Sequence, residues 1–209
     1  MVRELRVANG FLIALEGVDG SGKSTQAELL AASLEKDGHQ VVLTREPTDG
    51  PAGQKLQSYL LGPSRHLTPA EELELFTADR REHVAQIIKP SLGRGQIVIT
   101  DRYYYSSVAY QGALGLNPAD ILAANEAFAP RPELIFILTL PVPEALARLA
   151  QKGNGARQVS ETFPYLKQVA AIYAGLKGPR FRRVDASPPP LEVHAVILEE
   201  TRQALKEMK

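Results

Sequence analysis

Eight residues in this sequence have types and spacing that suit phosphate chemistry: Gly17, Val18, Asp19, Gly20, Ser21, Gly22, Lys23 and Ser24. They fit the pattern G-x-x-x-x-G-K-[ST], in which a glycine-rich backbone curls its N–H groups around phosphate oxygens. Lys23 is then a point charge for the β- and γ-phosphates, and the Ser24 hydroxyl is placed for Mg²⁺. The flanks agree with this reading. An apolar run, Phe11 to Glu16, precedes the loop, and a helical pattern, Thr25 to Lys36, follows it. Strand, loop and helix together imply a bound nucleoside triphosphate, held at a helix N-terminus.

Further polar residues stand where strands end. Val41-Val42-Leu43 reads as a short buried strand that closes on Thr44-Arg45-Glu46-Pro47, so Arg45 lies where open α/β sheets bind ligands. A surface ion pair is the plain alternative for it. Ile97 to Thr100 is a third strand, and Asp101-Arg102 follows at its end. An aspartate there can hold Mg²⁺, as the acidic partner of a phosphate loop does. Next come Tyr103, Tyr104, Tyr105, Ser106, Ser107, Tyr110 and Gln111, in a chain that is 6% aromatic overall. Such aromatics mixed with hydroxyls suit either core packing or a nucleobase and sugar.

The elements that position these groups alternate between strand and helix. Thr68-Pro69-Ala70-Glu71-Glu72 is a helix start with an N-cap, a proline at the first position and acids in the first turn. That helix carries Phe76 and Arg80, four apart and so on one face, with His83 expected at the surface. Thr48 to Gly53 reads as a run of turn formers, with a short helix from Leu56 to Leu61. Asn117-Pro118 opens a helix to about Phe128. Leu134 to Leu138 is a fourth strand, and a helix from Pro143 to Leu149 leads into a glycine-rich segment. From Arg148 to Ser160 the chain has three basic residues and no acid, which suits a lid over a triphosphate. A helix from about Thr162, a fifth strand at Phe181 to Asp185 and a closing helix from Leu191 complete the chain. The expected fold is α/β: a three-layer arrangement of the P-loop NTPase type, with a five-stranded parallel sheet flanked by helices. One domain over residues 1–209, with a short lid at about 151–160, accounts for the 209 residues.

Composition removes several classes. Lys+Arg and Asp+Glu balance at 24 each, so there is no basic field for nucleic acid. With no cysteine there is no thiolate metal site or cysteine nucleophile. Residues Met1 to Gly10 lack the apolar core of a signal peptide, and the longest apolar run, Leu134 to Leu140, is far short of a membrane span. A cytoplasmic protein without membrane partners is expected.

Taken together, Glu16 to Gln26, Arg45-Glu46-Pro47, Phe76 with Arg80, and Asp101-Arg102-Tyr103 followed by Ser106, Ala109, Tyr110 and Gln111 resemble the thymidylate kinase family over nearly the whole chain. The resemblance implies phosphoryl transfer from MgATP to dTMP, and a homodimer. It implies that residues Gly17 to Thr25 hold ATP, with Asp19 near the sugar 3′-hydroxyl and the metal, and that Arg45 and Arg102 hold the acceptor phosphate. It further implies that Phe76 stacks on thymine, Arg80 bonds a base oxygen, and Tyr110 crowds a ribose 2′-hydroxyl. Ser106, Ser107 and Gln111 are candidates to complete the base site. Some family members carry an arginine inside the phosphate loop, where this chain has Gly20. Arg157 is then the first candidate cation for the transferring group, with Arg148 and Lys152 as further candidates for that role or for a place against adenine. The alternatives are a kinase for another nucleoside monophosphate, a deoxynucleoside kinase using Glu46 or Asp101 as base, and a nucleotide-dependent switch. The switch would be expected to carry an Asn-Lys-x-Asp segment, which is absent from the sequence.

Overall fold

A computed structural model describes residues 10–62, 66–151 and 162–207. Its sheet contains five strands in the order β2-β3-β1-β4-β5. They are β1 (Phe11–Gly17), β2 (Val41–Arg45), β3 (Ile97–Asp101), β4 (Leu134–Thr139) and β5 (Phe181–Asp185), and every pairing is parallel. The three inner strands are covered on both faces, so they appear in sequence as unbroken apolar runs rather than alternating ones. The edge strands β2 and β5 are only partly buried, and their sequences are correspondingly mixed.

Right-handed crossovers fix the faces. Helix α1 (Lys23–Lys36) and helix α9 (Pro190–Glu207) pack on each other on one side. On the other lie α5 (Tyr104–Ala113), α6 (Pro118–Glu126), α7 (Val142–Gln151) and α8 (Phe163–Gly175), with α2 (Pro51–Leu60) and α3 (Pro69–His83) joined to them through α5. The helices that follow the neighbours β1 and β3 therefore leave toward opposite faces. The crevice between those strand ends is where such sheets bind ligands.

Local chemistry explains the boundaries. Thr68 caps α3 through a complete capping box with Glu71, and Pro69 takes the first turn. Helix α2 starts at Pro51, five residues before the expected Leu56, because proline tolerates the first helical position. Gly53 falls inside it, and a Cβ there would meet the Thr48 carbonyl oxygen at 2.1 Å, so only glycine lets the preceding loop close down. Beyond His83 the chain continues through a π-helical turn, Val84–Ile88, into α4 (Lys89–Gly93). Pro90 has no N–H for the Gln86 carbonyl and its ring would crowd it, and the wider turn accommodates both effects. The tyrosine-rich stretch leads into α5, and Tyr103, Tyr104 and Tyr105 are buried core rings that meet in series at a tilt, with centroids 4.6 and 4.4 Å apart.

Because the Thr68 hydroxyl is the acceptor for an otherwise open N–H, Thr68→Ala is expected to lower stability by about 1 kcal/mol. A urea midpoint that falls at unchanged slope would show this, and an unmoved midpoint would contradict it.

Candidate active site

The phosphate loop leaves β1 at Gly17 and enters α1 at Lys23. Gly22, in the left-handed region at φ 92, precedes the helix, and no side chain caps the helix or places an acid in its first turn. The first N–H groups of α1 are thus available to an anion. At Gly20 (φ +83) a Cβ would come within 2.5 Å of the Ala145 carbonyl oxygen of α7. The loop of this chain has no room for a side chain at that position.

Lys23 is 6% exposed and its Nζ donates to the Val18 carbonyl at 2.9 Å. Burial first, and then the charge of Arg102, push its amine down to about 8, against Asp19, Asp101 and Glu16. Asp19 bonds Arg102 through one carboxylate oxygen and accepts from the Tyr110 hydroxyl at 2.9 Å through the other. Desolvation opposes its ionisation, but the charges of Arg102 and Lys23 hold its carboxyl below the usual range. The Tyr110 hydroxyl also accepts from the Asp19 N–H at 3.0 Å, so α5 grips the loop at both ends of one residue.

Level with this cluster, the Ser24 hydroxyl donates to Asp101 Oδ2. The other oxygen, Oδ1, is buried with no hydrogen-bond partner among the described residues. A carboxylate oxygen left open beside a hydroxyl suits a hard cation, and Mg²⁺ takes one or two carboxylates plus substrate phosphates. Arg45 pairs with Asp101 across the β2–β3 register. Its side chain is 63% exposed and touches Asp49 only at 3.4 Å, a pairing too long and too wet to hold it.

A second set of residues ties the Glu46–Gly50 loop to α3. Glu46 Oε2 accepts from Arg80 Nε at 2.9 Å and Nη2 at 2.6 Å, while Oε1 accepts from His83 Nδ1 at 3.1 Å. A carboxylate only accepts, so Nδ1 carries a proton, and Nε2 meets the Thr44 hydroxyl at 2.8 Å. Burial would raise the Glu46 carboxyl; the Arg80 charge and the His83 hydrogen bond outweigh it and hold it low. Asp79 accepts from the Thr48 hydroxyl and N–H, and burial pushes its carboxyl up despite those bonds. His83 is therefore an interior residue, 1% exposed, and not the surface histidine that its sequence context suggested.

Arg80 also donates to Asn125 at 2.8 Å and to the Ser107 hydroxyl at 3.1 Å, which ties α3 to α6 and α5. Gln111 donates to Glu72 at 2.9 Å, and its carbonyl oxygen is buried without a partner among the described residues. Phe76, half-buried, stands one turn before Arg80 on the same face. The Ser106 hydroxyl lies on the other side of α5, between Arg102 (3.0 Å) and Glu16 (2.6 Å). The fold thus gathers Asp19, Lys23, Arg102, Ser106 and Tyr110 into one cluster, places Ser24 and Asp101 beside it, and puts Arg80, Ser107 and Gln111 between α3 and α5. Arg148 bonds Glu144 and the Ala186 and Ser187 carbonyls, along a groove of about 510 Å³ lined by Gly20, Ser21, Thr25 and Pro188. Lys152 and Arg157 lie outside the described residues.

The sequence matches known proteins. The thymidylate kinase family model matches residues 15–197. A thymidylate kinase of Xanthomonas campestris pv. campestris (strain B100) is 47% identical over 194 residues, covering 90% of this chain and 83% of its own. A thymidylate kinase of Desulfotalea psychrophila is 42% identical over 197 residues, covering 94% of this chain and 96% of its own. The chain belongs to the thymidylate kinase family. It is an ATP-dependent phosphotransferase built on a P-loop α/β fold.

Glu16, Asp79, Thr48 and Asn125, and Tyr173, whose hydroxyl donates to Glu16 at 2.9 Å, carry site geometry that the sequence reading did not single out. One signal was present: the residues that α3 buries, Glu72, Asp79, Arg80 and His83, are all polar or charged, at helical spacing. Breaking a buried ion pair by removing one partner costs about 3–5 kcal/mol. Glu46→Ala is therefore expected to lower unfolding free energy by that order. Denaturant titration at low temperature measures it, and a loss under about 1 kcal/mol, the range of a surface pair, would contradict the reading.

Proposed function

We propose the following assignment of the site. The chain transfers the γ-phosphate of ATP to dTMP, giving dTDP and ADP. The observation that carries this reading is the meeting of a phosphate loop with two arginines, Arg45 and Arg102, at the ends of adjacent strands. Two cations facing a triphosphate site suit an acceptor that already bears phosphate.

Residues Gly17 to Thr25 hold the triphosphate, Lys23 neutralises its β- and γ-phosphates, and Arg148 borders the adenine side. Arg45 and Arg102 hold the acceptor phosphate. Asp19 and Tyr110 face the sugar, with Tyr110 leaving no room for a 2′-hydroxyl. Phe76 stacks on the base, while Arg80, Ser107 and Gln111 supply its polar contacts; the open Gln111 oxygen can accept from a base N–H. Ser106 acts on Arg102 rather than on the base. Arg157 is assigned to the transferring group by family resemblance.

Phosphoryl transfer needs alignment and stabilisation of spread negative charge more than covalent help. A phosphate oxygen of dTMP is already an anion, so the chain needs no side-chain base to activate it. Glu46, the base that a deoxynucleoside kinase would want, has both oxygens committed to Arg80 and His83, which disfavours that alternative. Ser24 and Asp101 would hold Mg²⁺, which when bound adds charge neutralisation on the donor phosphates. A cytoplasmic homodimer of single-domain subunits completes the proposal, and the lid expected at about 151–160 lies, beyond Gln151, outside the described residues; among the described residues no helix is long and apolar enough to cross a membrane.

The Lys23 assignment has two tests. Lys23→Ala is expected to lower kcat by at least about 10²-fold with the fold intact by circular dichroism; normal turnover would refute it. The charged amine is the binding form, and in the free enzyme it loses its proton near pH 8. The ratio kcat/KM for ATP is therefore expected to bend downward above about pH 8, while kcat, measured with the triphosphate bound and the amine pulled up by it, stays level further. A flat kcat/KM to pH 10 would contradict the role.

A further inference from the structure

Arg102 is the only residue other than glycine among the described residues with a positive φ, at 71°. Such a backbone persists only where surrounding contacts over-determine it. Here the contacts converge on Glu16, a fully buried carboxylate on β1. Glu16 Oε1 accepts from the N–H groups of Tyr103 (2.9 Å) and Ser106 (3.2 Å), the residues that follow Arg102 into α5. Its Oε2 accepts from the Ser106 hydroxyl (2.6 Å) and from the Tyr173 hydroxyl of α8 (2.9 Å). The Ser106 oxygen, having donated to Glu16, accepts from Arg102 Nη1 at 3.0 Å. One carboxylate thereby fixes the backbone on one side of Arg102 and, through one hydroxyl, its guanidinium.

We propose that Glu16 and Tyr173 are positioning residues for acceptor binding. They hold Arg102 outward toward the acceptor phosphate, and so make α8 a support of that site. The proposal rests on the assignment of Arg102 to the acceptor phosphate made above. The physical reason is competition for one cation. With four donors Glu16 is satisfied, and the Arg102 guanidinium is left to Asp19, Ser106 and an incoming phosphate. Without the Tyr173 hydroxyl, a buried carboxylate lacks a donor, and the Arg102 guanidinium, already bonded to the Ser106 oxygen that donates to Glu16, would be drawn inward. A second bond from α8, Tyr165 hydroxyl to the Tyr110 carbonyl at 2.9 Å, holds the sugar-facing end of α5 in the same way.

The test compares steady-state kinetics of Tyr173→Phe, Glu16→Gln and Arg102→Ala with the parent enzyme, together with melting temperatures. Tyr173→Phe is expected to raise KM for dTMP about tenfold, with KM for ATP within about twofold, and to add nothing further in the Arg102→Ala background. Glu16→Gln, which removes the charge but keeps the shape, is expected to shift dTMP KM in the same direction. If Arg102→Ala leaves dTMP KM unchanged, the underlying assignment of Arg102 fails. If Arg102→Ala raises dTMP KM but Tyr173→Phe and Glu16→Gln lower only the melting temperature, or raise both KM values together, the assignment stands and the positioning proposal is overturned. Should Tyr173→Phe not fold, Ser106→Ala removes the same link from the other end and is read by the same criteria.

Discussion

Three neighbouring parallel strands held in one register are the constraint on which this site depends: β2 and β3 end opposite each other, and β1 runs two residues further into the phosphate loop. Leu15 of β1 and Arg45 of β2 both register with Asp101 of β3. The phosphate loop, Arg45 and the Asp101-Arg102 pair therefore issue from one edge of one sheet. The apolar residues behind them fix that level: a one-residue slip of β3 would turn Ile97, Val98 and Ile99 to the wrong faces of a sheet buried on both sides. The precision of the site is thus inherited from the packing of the core. It also explains why the residues that face ligand can be polar, exposed or strained without unsettling the fold.

Beside that edge, the fold buries charge to an unusual degree. Arg80, Glu46, His83 and Asp79 are almost without solvent, yet each finds a partner across the α3 contact. Such pairs return little net stability, because desolvation offsets most of the attraction. What they provide is direction. Arg80 has five N–H donors, and Glu46, Asn125 and Ser107 engage four of them in fixed positions. A guanidinium held this way presents one orientation toward the space between α3 and α5, which suits discrimination between flat ligands that differ in one carbonyl or amino group. Glu16 does the same for Arg102 from beneath.

How much of this was legible in the sequence depended on range. The phosphate loop is a local pattern whose glycines and flanking elements all lie between Phe11 and Lys36, and it was readable in full. The strands were readable as well, because the inner strands of a parallel sheet are bare apolar runs; β5 was located to the residue. The partners of Glu46 and Glu16 were not, since they lie 34 to 157 residues away in sequence and only the fold brings them together. His83 looked like a surface residue because its neighbours Arg81 and Glu82 are charged, and the helical spacing of the polar residues does not by itself say which face turns inward. The tyrosines showed the opposite limit: composition left core packing and ligand contact both open, and the fold buries all four, with only Tyr110 bonded to the phosphate loop. The onset of α2 at Pro51 was masked by glycine and proline residues that form turns as readily as they start helices.

The most direct measurement is diphosphate formation from MgATP and a panel of nucleoside monophosphates: dTMP, dUMP, UMP, CMP, dCMP, AMP and GMP. The account predicts that dTMP is preferred, because phosphate, deoxyribose and base each meet residues assigned to them. Preference for another monophosphate would leave the phosphate machinery standing and contradict the base site built from Phe76, Arg80, Ser107 and Gln111. Absence of transfer to any of them, with ATP still bound, would contradict the account as a whole.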